Sequence, residues 1–246
     1  MLHIIYRSYG GENLKNRPDF YSKLVCLYSF IDSVLMIDEE VKLIFMNDGP
    51  IQDDKIEVMK KYGDIISLPS LGNSPSFREA LNLALNLSDS DLVYFAEDDY
   101  LYKPEAFKNM LLAFKELPNV DYITLFDHSD RYIRKDDSLG GKCKIFITIN
   151  LHWRTCESTC MTFGARVSTF KKDKKKFYSI SILDIPEDRI LWRYLLGQKK
   201  YFYKFPKRIL VSPIPSLCSH IDLNGLAPIV DWGELSTFIR EKYSID

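Results

Sequence analysis

Read from its first residue, the chain alternates short apolar runs with longer segments in which apolar residues recur every three or four positions. His3–Tyr6, Val41–Met46, Asp64–Leu68 and Asp91–Ala96 are short runs that predict strands, the last apolar throughout after Asp91. Four segments between and after them predict amphipathic helices. Asp19–Leu35 brings Phe20, Leu24, Leu27, Ile31 and Val34 into phase, with Pro18 as a first helical residue. Ile56–Tyr62 is shorter. Ser76–Leu87 aligns Phe77, Ala80, Leu81, Ala84 and Leu85, and Pro104–Leu117 aligns Phe107, Met110, Leu111 and Phe114. Gly10-Gly11 and Asn47-Asp48-Gly49-Pro50 interrupt the pattern where turns are needed. Strand–helix alternation over the first 120 or so residues predicts parallel β-α-β units, in a sheet covered on both faces.

The second half changes character. Asp121–Phe126, Lys144–Ile149, Met161–Phe163 and Ile209–Val211 read as strands, and Glu187–Leu196 as a helix stopped by Gly197. The charged stretch Ser129–Lys142 and the lysine run Lys171–Lys176 read as surface loops. No repeat or low-complexity linker divides the chain. The expectation is one α/β domain with a mixed, mostly parallel sheet flanked by helices, its halves meeting near residues 127 and 128.

Composition narrows the class. A length of 246 residues suits one large domain, and 46% hydrophobic with 27% charged residues is the balance of a packed globular protein. A net charge of −1 gives no global field to attract nucleic acid. The five cysteines are scattered; only Cys156 and Cys160 lie close, and no second pair completes a zinc site. They read as reduced thiols. The apolar stretch in MLHIIYRSYGG is too short for a signal-peptide core, and no run approaches the ~20 apolar residues that cross a bilayer. A cytoplasmic protein is expected.

The most informative segment is LVYFAEDDYLYKPEAF. Leu92–Ala96 would be a central strand with Glu97-Asp98-Asp99 at its carboxyl end, the edge at which open α/β sheets bind ligands. Three adjacent acids repel one another unless a cation or hydrogen-bond donors compensate them. A hard divalent ion shared with diphosphate oxygens would do so.

An apolar strand, then Glu-Asp-Asp, then a helix opening at a proline resembles the metal and donor signature of GT-A glycosyltransferases. It is similar to inverting enzymes such as N-acetylglucosaminyltransferase I and the broad family-2 group. The resemblance implies the GT-A, Rossmann-like fold, with a donor half (1–127) for a nucleotide diphosphate sugar and an acceptor half (128–246). The nucleotide would be UDP in preference to GDP or dTDP, and the acceptor a glycan or lipid-linked sugar. Asp99 would coordinate Mn²⁺ or Mg²⁺, with Asp98 and Glu97 on the ribose or metal-bound waters.

Other candidates follow the same order along the chain. At the end of the first strand, Tyr6 or Tyr9 would offer a ring to the base, Ser8 would lie beside it, and Arg7 would neutralise phosphate. Asp48 matches a family carboxylate that binds base or ribose, although Asn-Asp-Gly-Pro is also good turn chemistry. Arg78, near the start of the third helix, would add a bond to diphosphate at a helix N-terminus. The Gly-x4-Gly-Lys-Ser/Thr phosphate loop is absent.

In the second half, Pro186-Glu187-Asp188 opens a helix. Acids there complement the helix dipole; by the resemblance Asp188 would be the general base that takes the acceptor's proton, with Glu187 an acceptor ligand beside it. Cys156–Arg166 resembles the wall between donor and acceptor. Glu157, Ser158 and Thr159 would contact sugar there, and Trp153 would be a stacking platform. His220 falls where several GT-A enzymes supply a histidine to the metal. The lysines of 171–176 would also suit peripheral contact with an anionic membrane that carries lipid-linked acceptors.

Rival readings keep the same fold. A sugar-phosphate nucleotidyltransferase would carry a Gly-rich basic loop after the first strand, where this chain has Gly10-Gly11 and scattered basic residues. A carbohydrate-binding protein without turnover would not need intact EDD and PED segments. A retaining mechanism stays open, because the base rests on one short motif.

Overall fold

The computed structural model describes residues 1–12, 14–133, 143–183, 188–197 and 207–245. Pro186, Glu187 and most of the stretch 129–142 expected as a loop lie outside them. The first half runs β1 (Leu2–Tyr9), α1 (Lys23–Leu35), β2 (Val41–Asp48), α2 (Asp53–Tyr62), β3 (Asp64–Leu68), α3 (Asn73–Leu85), β4 (Leu92–Glu97), β5 (Tyr100–Tyr102) and α4 (Ala106–Glu116). The second continues with β6 (Tyr122–Ile123), α5 (Asp130–Ile133), β7 (Ile145–Ile147), β8 (His152–Thr155), β9 (Phe163–Arg166), α6 (Val167–Leu183), α7 (Arg189–Leu195), β10 (Leu210–Ile214), β11 (Cys218–His220) and α8 (Trp232–Tyr243).

Among the described residues the main sheet has the order β3-β2-β1-β4-β9-β6-β10-β8-β7. The first four strands are parallel. β9 is antiparallel to both neighbours, β4 and β6, so β6 and its partner β10 again run with β4. The carboxyl ends of β1, β2, β4, β6 and β10 therefore share one edge. β5 and β11 form a small second sheet just beyond it.

Alternation along the strands divides the core in two, as expected for a sheet covered on both faces. Tyr6, Phe45 and Tyr94 pack with Phe30 of α1 and Phe107 of α4 on one face. Ile5, Val93 and Phe95 pack with Phe77 of α3, Phe170 and Phe177 of α6 and Trp192 of α7 on the other.

Three local departures from the sequence reading have physical causes. α1 begins at Lys23 rather than at Pro18, because Ser22 takes an extended conformation and its hydroxyl accepts from Val25 N, making it the N-cap. The residues before it form a loop across the strand ends. The lysine run 171–176 is helical, not a loop. Its buried stripe is Phe170, Asp173 and Phe177, and the acid in the middle hides the apolar period. Asp173 is satisfied there by Arg208, at 2.8 and 3.0 Å, and by the Tyr122 hydroxyl at 2.7 Å. The short strands β5, buried throughout, and β8, buried at its centre, are set by tertiary pairing and carry no alternation of their own.

Phe30 touches Tyr6, Phe45, Tyr102 and Phe107 at ring-centre separations of 4.5 to 6.5 Å. Phe30→Ala should lower the unfolding free energy by about 3–5 kcal/mol, measured by urea denaturation.

Candidate functional site

β4 delivers Glu97-Asp98-Asp99 to the shared edge, and each acid meets a different cation. Arg7, in register with Glu97 on the adjacent strand, bonds its carboxylate. The same guanidinium holds the start of α3 through Asn73 O and Oδ1, both at 2.9 Å, and Ser76 Oγ at 3.2 Å. Asp98 Oδ2 accepts from Lys23 Nζ at 2.8 Å and from Tyr9 N at 2.9 Å. Lys23 also donates to the carbonyls of Tyr9 and Gly11, which fixes the loop after β1.

Asp99 is the meeting point. Its Oδ2 accepts from Arg17 Nη2 at 2.7 Å and lies 2.9 Å from His220 Nε2. The β5–β11 pairing brings that histidine across 121 positions by setting it opposite Tyr100. Arg17 also donates to Ile221 O on the far side. The other oxygen, Asp99 Oδ1, is buried and has no hydrogen-bond partner.

The electrostatics follow. Burial pushes the carboxyls of Glu97 and Asp98 up, against the pull of Arg7 and Lys23. Burial also pushes Asp99 up, but hydrogen bonds and charge from His220 and Arg17 outweigh it and bring the group down to about 2. For His220, burial favours the neutral ring, and Asp99 overcomes this and raises its pKa.

Among the described residues no three His, Cys, Asp or Glu side chains converge on one point as a metal site. Asp99 and His220 offer two donors. Magnesium-type sites commonly use one or two carboxylates and take their remaining ligands from substrate phosphates and water. The residues present fit such an ion, with the unpartnered Asp99 Oδ1 as the open donor. Arg17 stands at the other oxygen as the resident cation.

A small cleft of about 200 Å³, open mouth included, lies beside Asp98 and is lined by Tyr6, Ser8, Tyr9, Lys23 and Ile51 among others. Tyr9 is 60% exposed. Tyr6 is 0% exposed, with Phe30 and Phe45 against its ring, so that ring is closed to a base and only the edge of the residue reaches the cleft. Ser8 Oγ is buried without a partner. Asp48 is committed elsewhere: its two oxygens accept from Leu71 N at 2.6 Å and Gly72 N at 2.7 Å, closing the turn into α3. Arg78 is half-buried within α3.

The inversion of β9 positions the second half of the site. Phe163 pairs with Phe95, so the preceding Cys156–Thr162 segment falls beside the end of β4. Cys160 and Met161 both take left-handed backbone, at φ 47° and 61°, which non-glycine residues adopt at a cost. The segment is pinned by Asp188. Its Oδ2 accepts from Thr159 N at 2.8 Å, Thr159 Oγ1 at 3.1 Å and Trp192 Nε1 at 3.2 Å, and its Oδ1 accepts from Ser158 Oγ at 3.0 Å. Tyr100 Oη reaches Cys160 O at 3.3 Å. Burial first, and then the Asp188 charge, push the Cys160 thiol up to about 12, with a smaller push from Glu97. Glu157 is half-buried in the same segment. Trp153 is not a platform. It is 0% exposed, with its indole N–H on Thr148 Oγ1 at 3.1 Å.

The structure thus gathers Arg7, Glu97, Asp98, Asp99 and His220 along one edge and links Ser158 to Asp188, while Tyr6 and Trp153 belong to the core and Glu187 lies outside the described residues. Arg17 and Lys23 were missed. The one hint in the sequence is that three adjacent acids require cations, and the stretch after β1 contains basic residues.

A doubly wound sheet with its acidic triad at the topological edge defines the GT-A, Rossmann-like class of nucleotide-sugar fold. The chain belongs to glycosyl transferase family 2, whose profile matches residues 20–182, about two thirds of its length. No curated protein matches it. Among solved structures it is similar to residues 1–349 of S. aureus TarS, at 13% identity and a TM-score of 0.45 over 70% of this chain and 49% of that one. It therefore spans about half of that fragment. It is also similar to CMP:2-keto-3-deoxy-manno-octonic acid synthetase complexed with CTP, at 10% identity and a TM-score of 0.51 over 98% and 99% of the two chains. An active-site mutant of LgtC matches at 10% identity and a TM-score of 0.50 over 98% and 95%. At such identities the last two likenesses bear on the fold alone.

The paired shifts predict a pH response. Asp99 binds its proton less tightly in the folded chain than the 3.8 of a free carboxyl, so its contribution is present above pH 4 and fades as pH falls towards 2. His220 has the opposite sign: its contribution is complete below 6.5 and fades as pH rises through the raised folded value. NMR titration should place the His220 midpoint above 6.5 in the wild type, and Asp99→Asn should bring it below, because burial then prevails.

Proposed function

We propose that the protein transfers a sugar from a nucleotide diphosphate sugar, most favourably a UDP-sugar, to a hydroxyl of a glycan or lipid-linked acceptor, with inversion at the anomeric carbon. The observation that carries the reading is the convergence of Asp99, His220 and the partnered acids Glu97 and Asp98 at the carboxyl end of β4, in a chain of glycosyl transferase family 2. Both Asp188 and His220 lie beyond the matched segment, so their roles rest on geometry.

In this reading the donor's base enters the cleft at Tyr9, and Arg7 and Lys23, paired with Glu97 and Asp98, keep the edge on which the diphosphate lies from repelling it. Asp99 and His220 would hold Mn²⁺ or Mg²⁺, which when bound supplies charge stabilisation to the leaving diphosphate. The acceptor hydroxyl approaches the Ser158–Thr159 segment, and the carboxylate of Asp188 takes its proton as the new bond forms. The four donors on Asp188 fix its orientation, which is what a base acting at one point in space requires. The likeness to the CMP sugar-acid synthetase extends to the fold, and no basic glycine-rich loop follows β1 to favour nucleotidyl transfer over sugar transfer.

Two measurements test this. Asp99→Asn should nearly abolish transfer and weaken metal-dependent nucleotide binding with the fold retained, and His220→Ala should raise the Mn²⁺ concentration needed for half activity. Full activity of Asp99→Asn with an unchanged metal requirement would discard the metal assignment.

Asp188→Asn keeps the shape and removes the proton acceptor, so turnover should fall by ~10²-fold or more with donor affinity unchanged. NMR of the product should give an anomeric configuration opposite to the donor's. Retained configuration would return Asp188 to a purely structural role, fastening Thr159.

A further inference from the structure

One charged cluster at the same edge has no part in the transfer described above. Asp127, which follows β6 and is 1% exposed, sits between two arginines. Arg131 Nη1 donates to its Oδ1 at 3.0 Å. Arg154 Nη2, from β8, lies 3.1 Å from that same oxygen. Ser212 Oγ donates to it at 3.3 Å, and the Tyr132 hydroxyl bonds Oδ2. Among the described residues Asp127 is the one carboxylate paired with either guanidinium, so within that set two arginines share one acid.

The two arginines are used differently. Arg131 is saturated by backbone and hydroxyl partners: Phe126 O at 3.1 Å, Ser212 Oγ at 3.0 Å and Ser158 O at 2.6 Å. Arg154 is 8% exposed, yet its Nε and Nη2 make no hydrogen bond, because the close approach to Asp127 is misdirected. A buried guanidinium without hydrogen-bond partners is costly. Its cover is the Tyr132 ring, 48% exposed, which lies over the guanidinium at 4.4 Å and is held there by the bond of its hydroxyl to Asp127. Rotation of Tyr132 outward would open a planar, doubly donating face, the geometry that carboxylates and phosphates accept.

The position gives this a substrate meaning. Arg131 bonds Ser158 O, and Ser158 Oγ bonds Asp188. Arg154 is therefore connected to the proposed base through its ion pair with Asp127 and then through Arg131 and Ser158. We propose that Arg154, with Arg131 and Asp127 behind it, is an oxyanion subsite, and that the acceptor is acidic, carrying a carboxylate or a phosphate beside the hydroxyl that reacts. The two guanidiniums, Asp127 and one bound oxyanion then balance in charge. The acceptor assignment rests on the transfer reading; the subsite itself does not.

Calorimetry on the full chain with UDP and Mg²⁺ present tests it, using glucuronate and glycerol phosphate as probes and glucose and glycerol as neutral controls. One anion should bind saturably and its neutral counterpart should not; binding of glucuronate alone points to a uronic acid in the acceptor, and of glycerol phosphate alone to a phosphodiester. Arg154→Gln should weaken that binding at least tenfold with UDP affinity and melting temperature retained, and Arg154→Lys should fall between. If Arg154→Gln does not fold, Tyr132→Ala, on the surface, should tighten anion binding by removing the cover. Absence of binding by both anions, equal affinity in Arg154→Gln, or no effect of Tyr132→Ala overturns the subsite. Loss of UDP binding alone would instead overturn the donor reading and leave the subsite standing.

Discussion

Three carboxylates in a row at the end of a buried strand cannot coexist without cations, and much of the site is arranged around that constraint. Arg7, Lys23 and Arg17 each take one acid, and each also fastens a different piece of backbone: the start of α3, the carbonyls of the loop after β1, and Ile221 beyond β11. Neutralising the triad therefore also positions the edges of the cleft. The two halves of the chain meet at Asp99, through one cation from the first loop and an imidazole from β11.

The antiparallel β9 has an equally direct effect. Had it run with its neighbours, the segment before it would emerge at the opposite end of the sheet. Inverted, it sets Cys156–Thr162 against the end of β4, where the proposed transfer would bring donor and acceptor together. That closeness requires a sharp turn, and two successive left-handed residues provide it, stabilised by Asp188 and Tyr100. Strain of this kind persists where surrounding contacts over-determine the backbone.

The first half was largely legible in the sequence, since its elements are built from local apolar periods: β3 is found at the expected bounds, and α3, α4 and β4 within a few residues of theirs. Residue type and chain order single out the acidic triad, and the family resemblance singles out His220; the structure brings them together at Asp99. What escaped depended on tertiary partners. α6 was hidden because its buried stripe includes Asp173, which belongs there only once Arg208 arrives. Ring chemistry suits Tyr6 and Trp153 to binding surfaces but does not say which face of a strand is covered, and both rings are in the core. Asp48 served as turn chemistry, the alternative already contained in Asn-Asp-Gly-Pro.

The spread of these partners along the chain bears on the order of assembly. Pairings distant in sequence form late because the loop they close is entropically expensive. β1, β2 and β4 with their crossover helices depend on shorter separations, whereas β11 reaches β5 only after nearly the whole chain is available. All three counter-cations of the triad lie within the first 23 residues, upstream of the acids they neutralise. The acidic triad can thus be neutralised by residues already made when it is synthesised, with the imidazole from β11 needed only to complete it.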